Sequence, residues 1–288
     1  DTKLLEAAVP QVCKTAYGFT IQMPNVTPVP TPTLYRGRLY VGGGFNSQEY
    51  YCFDARTGRL QWAVDLSSEG PSSAVISDDT IIFNTESCTI FALEADTGRQ
   101  RWSRYLGDPL LSSPTIAGDH VFTVYPVRPP RDAASAEQVG DQPAMYPTHA
   151  LICFDLKTGE VRWRRWVDTD CLTAPVAAGD EIYVATLRGT LYRFSQADGS
   201  VLAARRMRVT SAPVIADGMM YFTRRTEPGE AIIEAVAVQS SSLADRNRAM
   251  FARAAPYLDR SVQRTSTAAA LAGEFDSDPL GGITDGLA

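Results

Sequence analysis

Cys52-Phe-Asp-Ala-Arg-Thr-Gly-Arg-Leu-Gln-Trp62 decides the fold, because it recurs. Ala92-Leu-Glu-Ala-Asp-Thr-Gly-Arg-Gln-Arg-Trp102 and Cys153-Phe-Asp-Leu-Lys-Thr-Gly-Glu-Val-Arg-Trp163 align with it without gaps. Arg193-Phe-Ser-Gln-Ala-Asp-Gly-Ser-Val-Leu-Ala203 keeps the frame and loses the tryptophan. The turn glycines Gly58, Gly98, Gly159 and Gly199 are separated by 40, 61 and 40 residues, so the period is 40 and the middle interval carries 21 extra. A fixed period of this size marks a repeat architecture, in which each unit buries its apolar surface on its neighbours.

The residue types of the turn follow from its geometry. A tight hairpin needs positive φ at one position, which glycine supplies, while Asp and Thr side chains bond nearby backbone groups and fix the bend. The tryptophan four residues later falls on the outermost strand, where an indole can wedge between neighbouring units and bury roughly 150 to 250 Å². Asp54, Thr57, Gly58, Trp62, Thr97, Gly98, Trp102, Asp155, Thr158, Gly159, Trp163 and Gly199 are accordingly assigned to blade docking rather than to ligand contact. Arginines recur on the same outer strands (Arg99 and Arg101, Arg162, Arg164 and Arg165, Arg205, Arg206 and Arg208), where charge protects an unpaired edge from aggregation.

Each period also has an earlier half: a short apolar run, a turn, then an alternating strand. Thr115 to Val124, Pro175 to Ala185 and Pro213 to Thr223 show it, as do Leu34 to Val41 and Ala74 to Asn84 with other turn residues. Two strand pairs per period make four short strands, one blade of a β-propeller. The predicted fold is all-β, with four to five four-stranded blades forming part of a seven- or eight-bladed ring, followed by a C-terminal helix and tail. The boundaries read as an N-terminal extension over 1–31, blades over 32–242 with an insertion loop at 125–149, a helix over 243–260 and a linker or tail over 261–288. An open propeller exposes apolar flanks on its first and last blades, so either more of the same polypeptide or another chain is expected to complete the ring.

Composition narrows function mainly by exclusion. Over 288 residues the formal net charge is −6, which gives no basic excess to draw the chain onto nucleic acid or anionic lipid. No run approaches the roughly 18 apolar residues of a spanning helix, and the start at Asp1 reads as that of a mature or trimmed chain. Cys52 and Cys153 occupy equivalent repeat positions as small buried residues; Cys13, Cys88 and Cys171 could include one disulfide in an oxidising compartment. His120 and His149 have no spacing that suggests a zinc cluster or nucleophile pair. The Gly42-Gly43-Gly44 run opens no helix and reads as a turn. The proline-rich stretch Tyr125 to His149 projects from the scaffold of the third blade, and loops so placed commonly carry binding. Tyr125, Arg128, Arg131, Tyr146 and His149 are therefore the candidate partner-binding residues.

Residues 32 to 238 resemble the pyrroloquinoline-quinone-like β-propeller repeat family, on the turns Asp54 to Trp62, Glu94 to Trp102 and Asp155 to Trp163. That repeat is shared by quinoprotein dehydrogenases, by the propeller lipoprotein of the outer-membrane barrel assembly machinery, and by sensor or scaffold domains. The resemblance implies a bacterial envelope location, periplasmic or outer-membrane-associated. Family dehydrogenases are similar to one another in placing adjacent disulfide-bonded cysteines against the quinone, and this sequence has no Cys-Cys pair. The expectation is a non-catalytic scaffold that binds protein partners and holds no cofactor or metal; the alternatives are part of a quinoprotein oxidoreductase and a ligand-sensing propeller domain.

Overall fold

The computed structural model describes residues 3–4, 10–24, 28–107, 112–127, 148–209, 211–226 and 229–238. Its regular structure is entirely strand among the described residues. A two-residue β1 (Lys3–Leu4) and a hairpin of β2 (Gln11–Thr15) and β3 (Gly18–Gln22) come first, so the segment read as an extension contains three strands. The repeats follow. The first is β4 (Thr33–Tyr35), β5 (Arg38–Gly42), β6 (Glu49–Asp54) and β7 (Leu60–Asp65). The second is β8 (Val75–Ser77), β9 (Thr80–Asn84), β10 (Thr89–Glu94) and β11 (Gln100–Tyr105). The third is β12 (Thr115–Ala117), β13 (His120–Pro126), β14 (His149–Asp155) and β15 (Val161–Val167). The fourth is β16 (Val176–Ala178), β17 (Glu181–Ala185), β18 (Thr190–Ser195) and β19 (Val201–Arg206), and the fifth has β20 (Val214–Ala216), β21 (Met219–Arg225) and β22 (Ala231–Ala237).

Within each repeat neighbouring strands pair in sequence order, giving antiparallel blades; β1 adds to the outer edge of β7 and makes the first sheet five-stranded. The second, third and fourth sheets have four strands, while the fifth has three among the described residues. The predicted insertion leaves β13 after Pro126 and returns at β14, its ends tied by Val127 N–H donating to Thr148 O at 2.9 Å. Arg128, Arg131 and Tyr146 lie outside the described residues, as do the predicted helix 243–260 and tail 261–288.

The third strand of each of the first three repeats is apolar on both faces because both are covered. Tyr50 to Phe53, Ile90 to Leu93 and Ala150 to Phe154 are buried without a break. The outermost strand solves a different problem, which is to turn its tryptophan inward. Cys52 pairs with Trp62 but Phe53 with Leu60; Ala92 pairs with Trp102 but Leu93 with Gln100; Arg193 pairs with Ala203 but Phe194 with Val201. In each case one extra residue on the outer strand makes a bulge at the same repeat position, which breaks the two-residue alternation and re-aims the next side chain.

The chain divides into two compact units, residues 1–123 with 153–162 and residues 124–152 with 163–288, and the division falls within the third repeat. The first unit is built on a stacked aromatic core: Tyr50 lies on Phe83 with ring centroids 4.3 Å apart, and Phe83 on Phe91 at 5.7 Å. Trp62, Tyr40 and Leu93 join that cluster. A second cluster holds Val41, Tyr51, Phe53 and Ala63 against Ile21 and Met23, which anchors the N-terminal hairpin to the first sheet. In the second unit Tyr183, Leu191, Val209, Met220 and Phe222 form a core between the fourth and fifth sheets.

Candidate protein-interaction surface

The turn residues form one repeated device. Asp54 Oδ1 accepts from the Arg56 and Thr57 N–H groups at 3.1 and 2.8 Å and from the Thr57 hydroxyl at 2.7 Å. Asp155 Oδ1 accepts from Lys157 and Thr158 N–H, both at 2.9 Å. In the second repeat Thr97 donates to Glu94 instead, at 2.8 Å. Arg162 bridges Asp155 and Asp119 at 2.6 and 2.8 Å, and with the backbone donors it holds the Asp155 carboxyl down at about 2.

The glycine of each turn is occupied from the preceding sheet. A Cβ on Gly98 would lie 2.7 Å from the Trp62 ring and one on Gly199 2.5 Å from the Trp163 ring; Trp102 fills the same place over Gly159. Each indole N–H then caps a carbonyl of the turn it covers: Trp62 to Ala95 at 3.1 Å, Trp102 to Leu156 at 2.9 Å, Trp163 to Gln196 at 2.9 Å. The first turn has no preceding tryptophan, and Phe19 of β3 covers Gly58 together with Val12 of β2. Sequence reading missed this partner because the hairpin lacks the Asp-x-x-Thr-Gly signature; the signal present was the alternation Gly18-Phe-Thr-Ile-Gln22.

Of the residues assigned to partner binding, the structure describes Tyr125 and His149, both in the second unit. Tyr125 is buried and its hydroxyl accepts from Arg164 at 3.2 Å. His149 opens β14 with its side chain mostly buried, Nε2 3.7 Å from Asp170 Oδ1 and Nδ1 2.9 Å from the Thr148 hydroxyl. Burial pushes the imidazole below its ordinary value, against the opposing pull of Asp170 and Asp168. The ring is therefore neutral at neutral pH.

Around His149 two loops are stitched together by groups that no motif announced. Asp168 Oδ2 accepts from the Thr190 hydroxyl at 2.6 Å, and Asp168 N–H donates to the Tyr192 hydroxyl at 3.2 Å. Asp168 Oδ1 is buried with no hydrogen-bond partner among the described residues. Asp170 Oδ1 accepts from Cys171 N–H at 2.7 Å, while Asp170 O accepts from Leu187 N–H at 2.8 Å. That last bond joins the loop after β15 to the β17–β18 turn. The two loops carry outward-facing leucines: Leu172 is 57% exposed and Leu187 42%. Exposed leucines on two loops joined by a backbone bond are candidates for the apolar centre of a protein-binding surface.

Among the described residues no set of side chains matches a site for a quinone with its cation. All five cysteines are thiols, no two are adjacent in sequence, and among the described residues no three His, Cys, Asp or Glu side chains converge as metal ligands. Burial pushes the Cys52 and Cys153 thiols up to about 12, in keeping with inert core positions.

The family model described as outer membrane protein assembly factor BamB matches residues 46–137 and 144–226, more than half of the chain. Among solved structures, BamB from Moraxella catarrhalis aligns with a TM-score of 0.54 at 18% identity, over 84% of this chain and 76% of that one. A computationally designed protein aligns at 0.55 and 9% identity, over 83% and 71%. Quinohemoprotein alcohol dehydrogenase ADHIIG from Pseudomonas putida aligns at 0.50 and 12% identity, over 73% of this chain but 42% of the dehydrogenase. At these identities the likenesses establish a propeller fold and nothing finer. No curated protein sequence matches the chain.

Proposed function

The chain belongs to the family described as outer membrane protein assembly factor BamB, and on that premise we propose that it is a non-catalytic scaffold of a bacterial cell envelope, periplasmic or outer-membrane-associated, that binds protein partners through the loops bearing Leu172 and Leu187. The observation that carries this reading is the Leu187-to-Asp170 backbone bond, which holds two exposed leucines on adjoining loops beside His149. Loops on a rigid β scaffold can present such a patch without paying to order it on binding. Among the described residues no helix is long and apolar enough to cross a membrane.

Photo-crosslinking from position 187 in envelope-expressed protein tests the reading. A discrete protein adduct is expected, lost when Leu172→Asp is introduced beside it; a pattern unchanged by that substitution would overturn it. The rival is a quinoprotein oxidoreductase, and reconstitution with pyrroloquinoline quinone and calcium separates the two. The scaffold predicts neither cofactor absorbance nor dye reduction, and robust turnover would sink it.

A further inference from the structure

His149 stands where three elements of the second unit meet: the start of β14, the loop after β15, and the β17–β18 turn that this loop holds. On one side of the ring Nδ1 lies 2.9 Å from the hydroxyl of Thr148, whose carbonyl accepts from Val127 N–H at 2.9 Å. On the other, Nε2 faces Asp170 Oδ1 at 3.7 Å, too long for a hydrogen bond. Only 15% of the imidazole side chain and 17% of the carboxylate side chain reach water, so neither has a full hydration shell. Among the described residues the titratable and charged groups of this junction are Asp168, Asp170 and Cys171 on the loop after β15, Tyr192 of β18, and Arg188 of the β17–β18 turn.

A neutral ring fits this place better than a charged one. The two carboxylates that would balance an imidazolium are already engaged: Asp170 Oδ1 accepts from Cys171 N–H at 2.7 Å, and Asp168 Oδ2 from the Thr190 hydroxyl at 2.6 Å. Burial outweighs their attraction, and the ring binds a proton less readily than it does in water. Linkage then requires that an arrangement exposing His149 further binds the proton more tightly, so falling pH populates that arrangement at the expense of this one. The loop also has something to gain by moving, because Asp168 Oδ1 is buried without a donor and water would supply one. Its travel is limited, since Thr173 Oγ1 accepts from Ala212 N–H at 2.9 Å just beyond Leu172.

We propose that His149 is a proton-operated catch: when its imidazole takes up a proton from solvent, residues 168–172 move outward, the bond from Leu187 N–H to Asp170 O opens, and Leu172 and Leu187 cease to form one surface. In the open arrangement water solvates the imidazolium and both carboxylates, which the closed one does not allow. The two loops are the bistable element, and the charge on one ring biases it. The consequence, release of a bound protein in mildly acidic medium, rests on the reading of Leu172 and Leu187 as a partner surface. The loop movement itself needs no partner.

Amide hydrogen exchange at Leu187, whose N–H donates to Asp170 O, reads the catch in the full chain without a partner. After correction for the intrinsic pH dependence of exchange, its protection is expected to fall about threefold or more between about pH 7.5 and about pH 5, within the limit of about tenfold per pH unit set by one proton. Ile182 and Phe194, paired in the middle of the fourth sheet, should keep theirs. His149→Gln is neutral at every pH and should make the Leu187 profile flat. Asp170→Asn keeps an acceptor for Cys171 N–H but removes the charge facing the ring, and should move the fall to lower pH. A flat profile in the natural chain overturns the proposal, as does a fall that persists in His149→Gln or one shared by Ile182 and Phe194. Crosslinking from position 187 at the same two pH values reads the consequence: the adduct should be lost in acid and restored by His149→Gln, and an adduct indifferent to pH overturns the regulation. Absence of an adduct at neutral pH counts against the partner surface alone, because the exchange profile still decides the catch.

Discussion

Two glycines in the first unit separate backbone strain from packing. Gly118 and Gly159 have left-handed φ values of 58° and 67°, but only Gly159 lies under an indole. Gly118→Ala should cost about 1 to 2 kcal/mol from the left-handed conformation alone. Gly159→Ala should add about 1 to 3 kcal/mol for displacing Trp102, read as a larger fall in urea midpoint. A second residue-scale prediction concerns pH. Because the folded chain holds His149 below its ordinary value of 6.5, the unfolded chain binds the proton more readily. The stability due to neutral His149 is fully present above 6.5 and is lost as pH falls through that value toward the folded one. Urea midpoints measured above and below 6.5 should show the loss, and His149→Gln should reduce it. The turn residues were legible in sequence because each needs a particular local chemistry. Asp168, Asp170, Leu172 and Leu187 were not, since they fall outside the repeat motif and Leu187 meets the segment of the other three only through space.

Whole strands and hairpins dock by a single aromatic, so its removal should be felt along the element. Trp102→Ala removes both the cover over Gly159 and the cap on Leu156 O, and is expected to cost about 3 to 5 kcal/mol in equilibrium unfolding. Phe19→Ala should act more locally, raising hydrogen exchange across residues 11–22 before it changes the rest of the first unit. The repeats were legible at this scale because the bulge, the turn and the tryptophan fall in one window of eleven residues, as in Cys52 to Trp62. The N-terminal hairpin was not, since its turn is short and its aromatic is a phenylalanine. The predicted blade count held through four repeats, and the fifth sheet shows three strands among the described residues.

For the molecule as a whole, the family match and the propeller likenesses agree with the architecture read from the turns. Leu172→Asp should leave stability within about 0.5 kcal/mol, because the side chain is 57% exposed, while abolishing the adduct formed from position 187. The order in which tryptophans cover glycines has a further meaning. Among the described residues each of the three tryptophan locks is carried by one blade and received by the next in sequence, so the lock has a polarity along the chain. Ala203 stands where Trp62, Trp102 and Trp163 stand in earlier repeats, and the fifth sheet is joined to the fourth instead by the core of Tyr183, Leu191, Met220 and Phe222.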